Sequence, residues 1–461
     1  MKHFISRRNF LKAAGVTAAA SAMAAAVPQA SAGFLTGKDA AVTILYTNDV
    51  HTYIDNKSPK LTYAAIAAMK QGYVDEGKPV LLVDAGDHIQ GTAYGSMDNG
   101  ATIIELMNEA GYDIATLGNH EFDYGMARAK AIIKEADFPY VSCNWVDLRT
   151  GLRVLPAVKL FPAGGKWIAF VGITTPESFT KSTPAYFMNA KQTKYIYDIL
   201  GGDDGRKLYD AVQKAIDKAK TLGADIIIGL GHLGVDPSSS PWTSEEVIAN
   251  TTGFDAFIDG HSHSTLEDVK AAAGGTGKVG DTLVTSTGTK LESVGVVTID
   301  ADGTITTATT PVADLTATDA DVAARAAKIQ AEIDKEYGTV FAKTEVALNG
   351  EKEPGNRTEE TNLGDLICDA LVWGAEREGT EVDAAVTNGG GIRASIAAGD
   401  ITKKDVFTVL PFGNTLTVVN VTGTELLEAL EAATFCTPAP LGGFPQTAGM
   451  KLTVDCTKDY D

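Results

Sequence analysis

The chain has 461 residues, 44% of them hydrophobic and 21% charged. This is a globular balance with room for two or three domains, and it excludes a disordered or fibrous protein. A formal charge of −20 disfavours nucleic acid and anionic lipid as partners, so any anionic substrate must be small and held by local cations.

At the start, SRRNFLK at Ser6 to Lys12 precedes an Ala-rich apolar run that closes at Ala30, Ser31 and Ala32. This reads as a twin-arginine export signal over residues 1–32, cleaved near Gly33, leaving no stable membrane span and sending the protein to the periplasm, cell envelope or exterior. The segment holds Lys2, Arg7, Arg8, Lys12 and no acid, so the remainder carries −24. The four cysteines, Cys143, Cys368, Cys436 and Cys456, have no CxxC spacing; in an exported chain they permit disulfides, Cys436 to Cys456 being one candidate pair among pairings that the sequence leaves open.

From about residue 40, strand-like runs alternate with helical periodicity: AVTILYTND, LTYAAIAAMKQGYV, PVLLVDAGD, ATIIELMNEAG and YDIATLGNHE. KWIAFVGIT, the helix LYDAVQKAIDKAKTLG, ADIIIGLGHLG, GFDAFIDGHSH and DTLVTSTGT follow, and VGVVTIDADGTIT closes the pattern as a hairpin. The pattern predicts an α/β layered domain over 40–311. Residues 312–343 have helical propensity and no strand signal, which predicts an interdomain helix. A second domain over 344–461 follows, with a helix at LGDLICDALVWGAE, strands at DAAVTNGG and TLTVVNVTG, and a helix at TELLEALEAA.

Five apolar runs of the first domain end in metal-ligating side chains: Asp49 and His51, Asp87, Asn119 and His120, His232, and His261 and His263. Of seven histidines, one lies in the signal, one is His88, and the other five all fall in these segments. Ligands at the carboxyl ends of neighbouring strands converge, because open α/β sheets put their binding crevice there. Imidazole with carboxylate suits zinc, manganese or iron. Asp49, His51, Asp87, Asn119, His232, His261 and His263 exceed the four ligands one ion needs, which predicts two ions sharing a carboxylate. Two ions about 3.5 to 4 Å apart can clamp a phosphoryl group for in-line displacement, which predicts phosphoester hydrolysis.

The motifs TNDVH, DAGD, GNHEFD and DGHSH resemble those of calcineurin-like metallophosphoesterases of the 5'-nucleotidase and UDP-sugar hydrolase branch. The resemblance implies a four-layered α/β/β/α metallophosphoesterase domain, followed by a smaller α+β substrate-binding domain. It also implies that Asp49, His51, Asp87 and His263 hold one ion, and Asp87, Asn119, His232 and His261 the other. His120 is then unligated, stabilises the transferring phosphoryl group and is oriented by Asp123. Asp84 and His88 are expected to be structural, and Glu121 to support the loop.

In the second domain, NRTEETNLGD, VTNGGGIRASI and LPFGNTL are similar to the substrate-binding domain of the same family. On that resemblance Arg357, Asn388, Gly390 and Arg393 bind the nucleotide and Phe412 stacks on its base. Members of the family continue past a segment like GGFPQTAGMKLTVD, so the second domain is expected to be incomplete at Asp461. The implied function is an exported phosphohydrolase of nucleoside 5'-monophosphates, with UDP-sugars and 2',3'-cyclic nucleotides as further substrates. The alternatives are a thiosulfohydrolase-like relative on the same scaffold, and a nucleotide-binding or cell-surface protein that has lost turnover.

Overall fold

The computed structural model describes residues 40–54, 62–311 and 315–458; the export segment at 1–32, the first three residues of the linker stretch (312–314) and Asp461 lie outside them. Among the described residues, one unit takes those up to Ile89 with Ala101–Ala326, and the other takes Gln90–Gly100 with those from Ala327 on. The helix Ala320–Tyr337 runs through the division.

Beside a three-stranded sheet of Leu152–Arg153, Trp145–Asp147 and Tyr197–Ile199, two large sheets form the first unit. One has the strand order Ile305–Pro311, Ser293–Ile299, Val42–Thr47, Val80–Asp84, Ile114–Ala115. The other runs Lys278–Val279, Thr282–Thr285, Ala256–Ile258, Ile226–His232, Lys166–Thr174, Val158–Ala163. Side chains alternate across each strand, so every strand serves two layers. Ile226, Ile228 and Leu230 enter a core that also receives Val42, Ile44, Leu81 and Val83 from the other sheet. Ile227 faces the opposite way, into a cluster with Leu208, Val212, Ala215, Ile216 and Ala219 of helix Arg206–Thr221, whose apolar residues recur at helical spacing. Helices Tyr63–Asp75 and Ala101–Ala110 pack together on the outer face of the first sheet. The layers are therefore α/β/β/α.

Three neighbouring strands of the first sheet, Val42–Thr47, Val80–Asp84 and Ile114–Ala115, are parallel. Four of the second are also parallel: Lys166–Thr174, Ile226–His232, Ala256–Ile258 and Thr282–Thr285. The carboxyl ends of these seven strands supply the site described below.

The second unit is smaller and mixed. Val340–Thr344 pairs with Gly399–Thr402, and Ala385–Asn388 with Pro445–Ala448, all antiparallel. Its core gathers Leu348, Leu363, Ile367, Ile392, Ile396, Ile401 and Val409, with Leu363 and Ile367 supplied by helix Asn362–Arg377. Thr361 caps that helix by accepting from the backbone N–H of Gly364.

Two expectations are corrected. The run TLTVVNVTG forms no strand: no described strand pairs with it, and Leu416, Val418, Val419 and Val421 are exposed. Its apolar composition met strand propensity, but propensity supplies no partner for the backbone. The Cys436 to Cys456 disulfide is also absent. All four cysteines are free thiols: Cys436 turns its Sγ toward the carbonyl of Ala439, while Cys456 lies on an exposed turn.

Candidate active site

His232 is the last residue of the parallel strand Ile226–His232, the other candidate ligands sit on loops past parallel strands, and the backbone of those loops is unusual. Asp49, His51, Asp87, His261 and His263 all have positive φ, between 48° and 81°. L-residues visit this region rarely, and clusters of such strain mark functional sites. Turning the chain two to five residues past the strand ends aims these side chains at a common point.

The side chains converge. Ligand atoms of Asp49, His51 and His263 lie within 4.8 Å of one another, as do those of His51, Asp87 and His120, and those of Asp87, His232 and His261. The Nε2 atoms of His51 and His263 are 2.9 Å apart, and His232 Nε2 is 3.0 Å from Asp87 Oδ2. Asp49 Oδ1 stands 3.5 Å from His263 Nε2 and 3.8 Å from His232 Nε2. Gly118 and Gly260 let the loops approach so closely. A Cβ at Gly118 would lie 2.2 Å from Asp87 Oδ1, and one at Gly260 2.9 Å from Asp49 Oδ2.

The electrostatics call for cations. Asn119 Oδ1 is buried without a hydrogen-bond partner among the described residues, although buried polar atoms are normally paired, and the Asp87 carboxylate faces His232 Nε2 at 3.0 Å. Burial pushes Asp49 up to about 7, helped by the charge of Asp87 and resisted by His232. Burial opposes ionisation of Asp87 too, yet His232 and His120 hold it well below the usual carboxylate range. Burial would lower His232, but Asp87 and Asp49 raise it to about 10. The carboxylates thus draw protons where positive charge is wanted. Donors of this kind, imidazole and oxygen without thiolate, fit two divalent ions of the zinc or manganese type.

Hydrogen bonds around the ligands fix their orientation. His232 donates from Nδ1 to the Ala85 carbonyl at 2.7 Å, which leaves the Nε2 lone pair for an ion. Asn48 donates to Asp49 Oδ2 and to the Gly288 carbonyl, while its own oxygen accepts from Thr287. Glu121 accepts from the backbone N–H of Asp87, His88 and Gly118, so it ties two ligand loops together. Asp84 accepts from Thr47, Gly86 and His88, and the other nitrogen of His88 meets the Tyr140 hydroxyl. His120 presents Nδ1 to Asp123 Oδ2 at 2.5 Å, which leaves its Nε2 toward Asp87, 3.9 Å away.

One group escaped the sequence reading. Glu177, three residues past strand Lys166–Thr174, accepts from His261 Nε2 at 2.7 Å and from Ser239 Oγ at 2.6 Å. Burial raises its pKa, but His261 and Lys181 outweigh that and hold it at about 2. The signal was available: KWIAFVGIT is a strand-like run of the same kind as the other five, and TPES follows it.

Known proteins are similar to this chain along most of its length. The human 5'-nucleotidase is 30% identical over 465 residues, covering 90% of this chain and 76% of that protein. The chain belongs to the 5'-nucleotidase family. The calcineurin-like phosphoesterase model of that family matches residues 42–265, and the 5'-nucleotidase C-terminal domain model residues 340–461. The trifunctional nucleotide phosphoesterase YfkN of Bacillus subtilis (strain 168) is 30% identical over 89% of this chain, which spans 29% of YfkN. The crystal structure of a 5'-nucleotidase precursor from Thermus thermophilus superposes with a TM-score of 0.74 at 26% identity, covering 91% of this chain and 83% of that one. As a 5'-nucleotidase family member with these candidate ligands, the chain is a metal-dependent phosphoester hydrolase. A twin-arginine signal model matches residues 5–24, so the chain is exported by that route. No described helix is long and apolar enough to cross a membrane.

In the second unit of this 5'-nucleotidase family chain, the Arg393 guanidinium lies 5.7 Å from the Phe412 ring centroid. Asn388 Nδ2 and the Gly390 N–H both donate to the Gly442 carbonyl, and the Arg357 carbonyl accepts from Leu441. The Leu441–Gly442 turn thus joins three of the five expected nucleotide-binding residues, while Arg393 and Phe412 form a pair.

Proposed function

We propose that the chain is a two-ion phosphohydrolase that releases phosphate from nucleoside 5'-monophosphates. The observation that carries this reading is the Asp87 carboxylate shared between ligand clusters, with the partnerless buried Asn119 Oδ1 among the expected ligands. In this reading Asp49, His51, Asp87 and His263 hold one ion, and Asp87, Asn119, His232 and His261 the other. Bound divalent ions supply Lewis-acid stabilisation of phosphoryl charge and draw a nucleophile from water at neutral pH. The chain's own residues do the rest. His120, held by Asp123 through Nδ1, offers Nε2 as a hydrogen-bond and proton donor to the phosphoryl group and its leaving oxygen. In the second unit, Arg357 and Arg393 meet negative charge, Asn388 and Gly390 shape a close backbone approach, and Phe412 offers an aromatic face to the base. The names of the human and Thermus thermophilus relatives support the choice of nucleotide.

The test is phosphate release from AMP, UDP-glucose, 2',3'-cyclic AMP and an aryl phosphate, with zinc, manganese and calcium added separately. AMP is expected to be turned over, and Asp87→Ala to abolish turnover of every substrate. AMP hydrolysis no faster in the parent than in Asp87→Ala overturns the proposal.

A further inference from the structure

We propose that Glu177 is a positioning residue for one ion only, the ion of Asp87, Asn119, His232 and His261. This rests on the two-ion reading above. Glu177 is 8% exposed, and its Oε2 is the point where His261 Nε2 and Ser239 Oγ meet, at 2.7 and 2.6 Å. With Nε2 engaged, His261 has only Nδ1 for an ion. The main chain of His261 is held as well, because its backbone N–H donates to Asp49 Oδ1 and Oδ2 at 3.2 and 3.0 Å. Between these anchors the residue is held at φ 81°, a conformation it keeps only under constraint.

The two histidines of this ion are handled in opposite ways. His232 gives Nδ1 to a neutral carbonyl and keeps Nε2, whereas His261 gives Nε2 to a carboxylate and keeps Nδ1. Their ring centroids are 5.2 Å apart. A carboxylate acceptor fixes the tautomer and also makes the imidazole a stronger donor, so Glu177 raises affinity where a carbonyl only orients. Ser239 holds the carboxylate, and Lys181 lies 3.6 Å from its other oxygen. The side chains that meet the Glu177 carboxylate are thus His261, Ser239 and Lys181, and none of them belongs to the ligand set of the other ion.

The experiment titrates cobalt(II) into the chelator-stripped full-length chain. It follows bound metal by elemental analysis and each ion's visible d–d absorption, for the parent, Glu177→Gln, Glu177→Ala and Ser239→Ala. The parent is expected to take two ions. Glu177→Ala is expected to bind one ion normally and the other about 10- to 100-fold more weakly, with a changed band for that ion alone. Glu177→Gln, whose amide oxygen still accepts from Nε2–H without a charge, is expected to fall between. Ser239→Ala is expected to show a smaller loss at the same ion. Two ions at parental affinity with parental spectra in Glu177→Ala overturn the proposal, as does equal weakening of both. A parent that takes fewer than two ions instead overturns the two-ion reading itself. Should Glu177→Ala not fold, Glu177→Gln and Ser239→Ala decide, since both keep the local volume. Parental binding in both then counts against the proposal.

Discussion

A left-handed backbone costs an L-residue on the order of 1 to 3 kcal/mol, and Asp49, His51, Asp87, His261 and His263 each carry that cost. Ligand geometry is therefore gained against stability. Replacing His263 with glycine removes the Cβ penalty at φ 57°. His263→Gly is expected to leave the metal-free melting temperature unchanged or higher while lowering metal content, and differential scanning calorimetry with elemental analysis checks both. A lower metal-free melting temperature would count against strain at this position. His120 stands apart from this group, since its Nδ1 is occupied by Asp123 and its φ is ordinary. His120→Ala is expected to keep both ions and to lower kcat by about 10²- to 10⁴-fold, the usual range for a lost proton donor.

At the scale of elements, what was legible in the sequence was whatever a local pattern encodes. KWIAFVGIT is observed as the strand Lys166–Thr174 and LYDAVQKAIDKAKTLG as a helix over Arg206–Thr221, because alternation and helical spacing are written within a dozen residues. TLTVVNVTG misled because a strand needs a partner, and pairing is not a local property. The histidines and Asn119 were legible through their repeated placement after strands; Glu177 also follows a strand, but it is no imidazole and its role shows only in its contact with His261, 84 residues away. Support of the His120 turn is equally non-local. Phe122, in the short 3₁₀ turn His120–Phe122, stacks edge-on against Trp145 at 5.3 Å and lies 5.0 Å from Phe187. Phe122→Ala is expected to cost about 3 to 5 kcal/mol by chemical denaturation and to lower kcat more than it raises KM.

Over the whole molecule, acidity and metal loading are linked. In the metal-free chain His232 sits at about 10 instead of its ordinary 6.5. Its folded pKa is raised, so its stabilising contribution is complete below 6.5 and is lost as pH climbs toward 10. Ions that take the place of that proton remove the dependence. The chelated protein is expected to lose melting temperature between pH 7 and 10, and the metal-loaded protein to hold it over the same window. Parallel curves for the two forms would refute this.

The seven candidate ligands begin at Asp49 and end at His263, and strands of both sheets deliver them. No fragment of the chain that stops short of His263 can assemble the complete centre, whatever its local structure. Metal retention therefore works as an internal certificate of maturity, reporting that the first unit has closed. Such a mark has particular value for a protein that leaves by the twin-arginine route, which carries chains already folded.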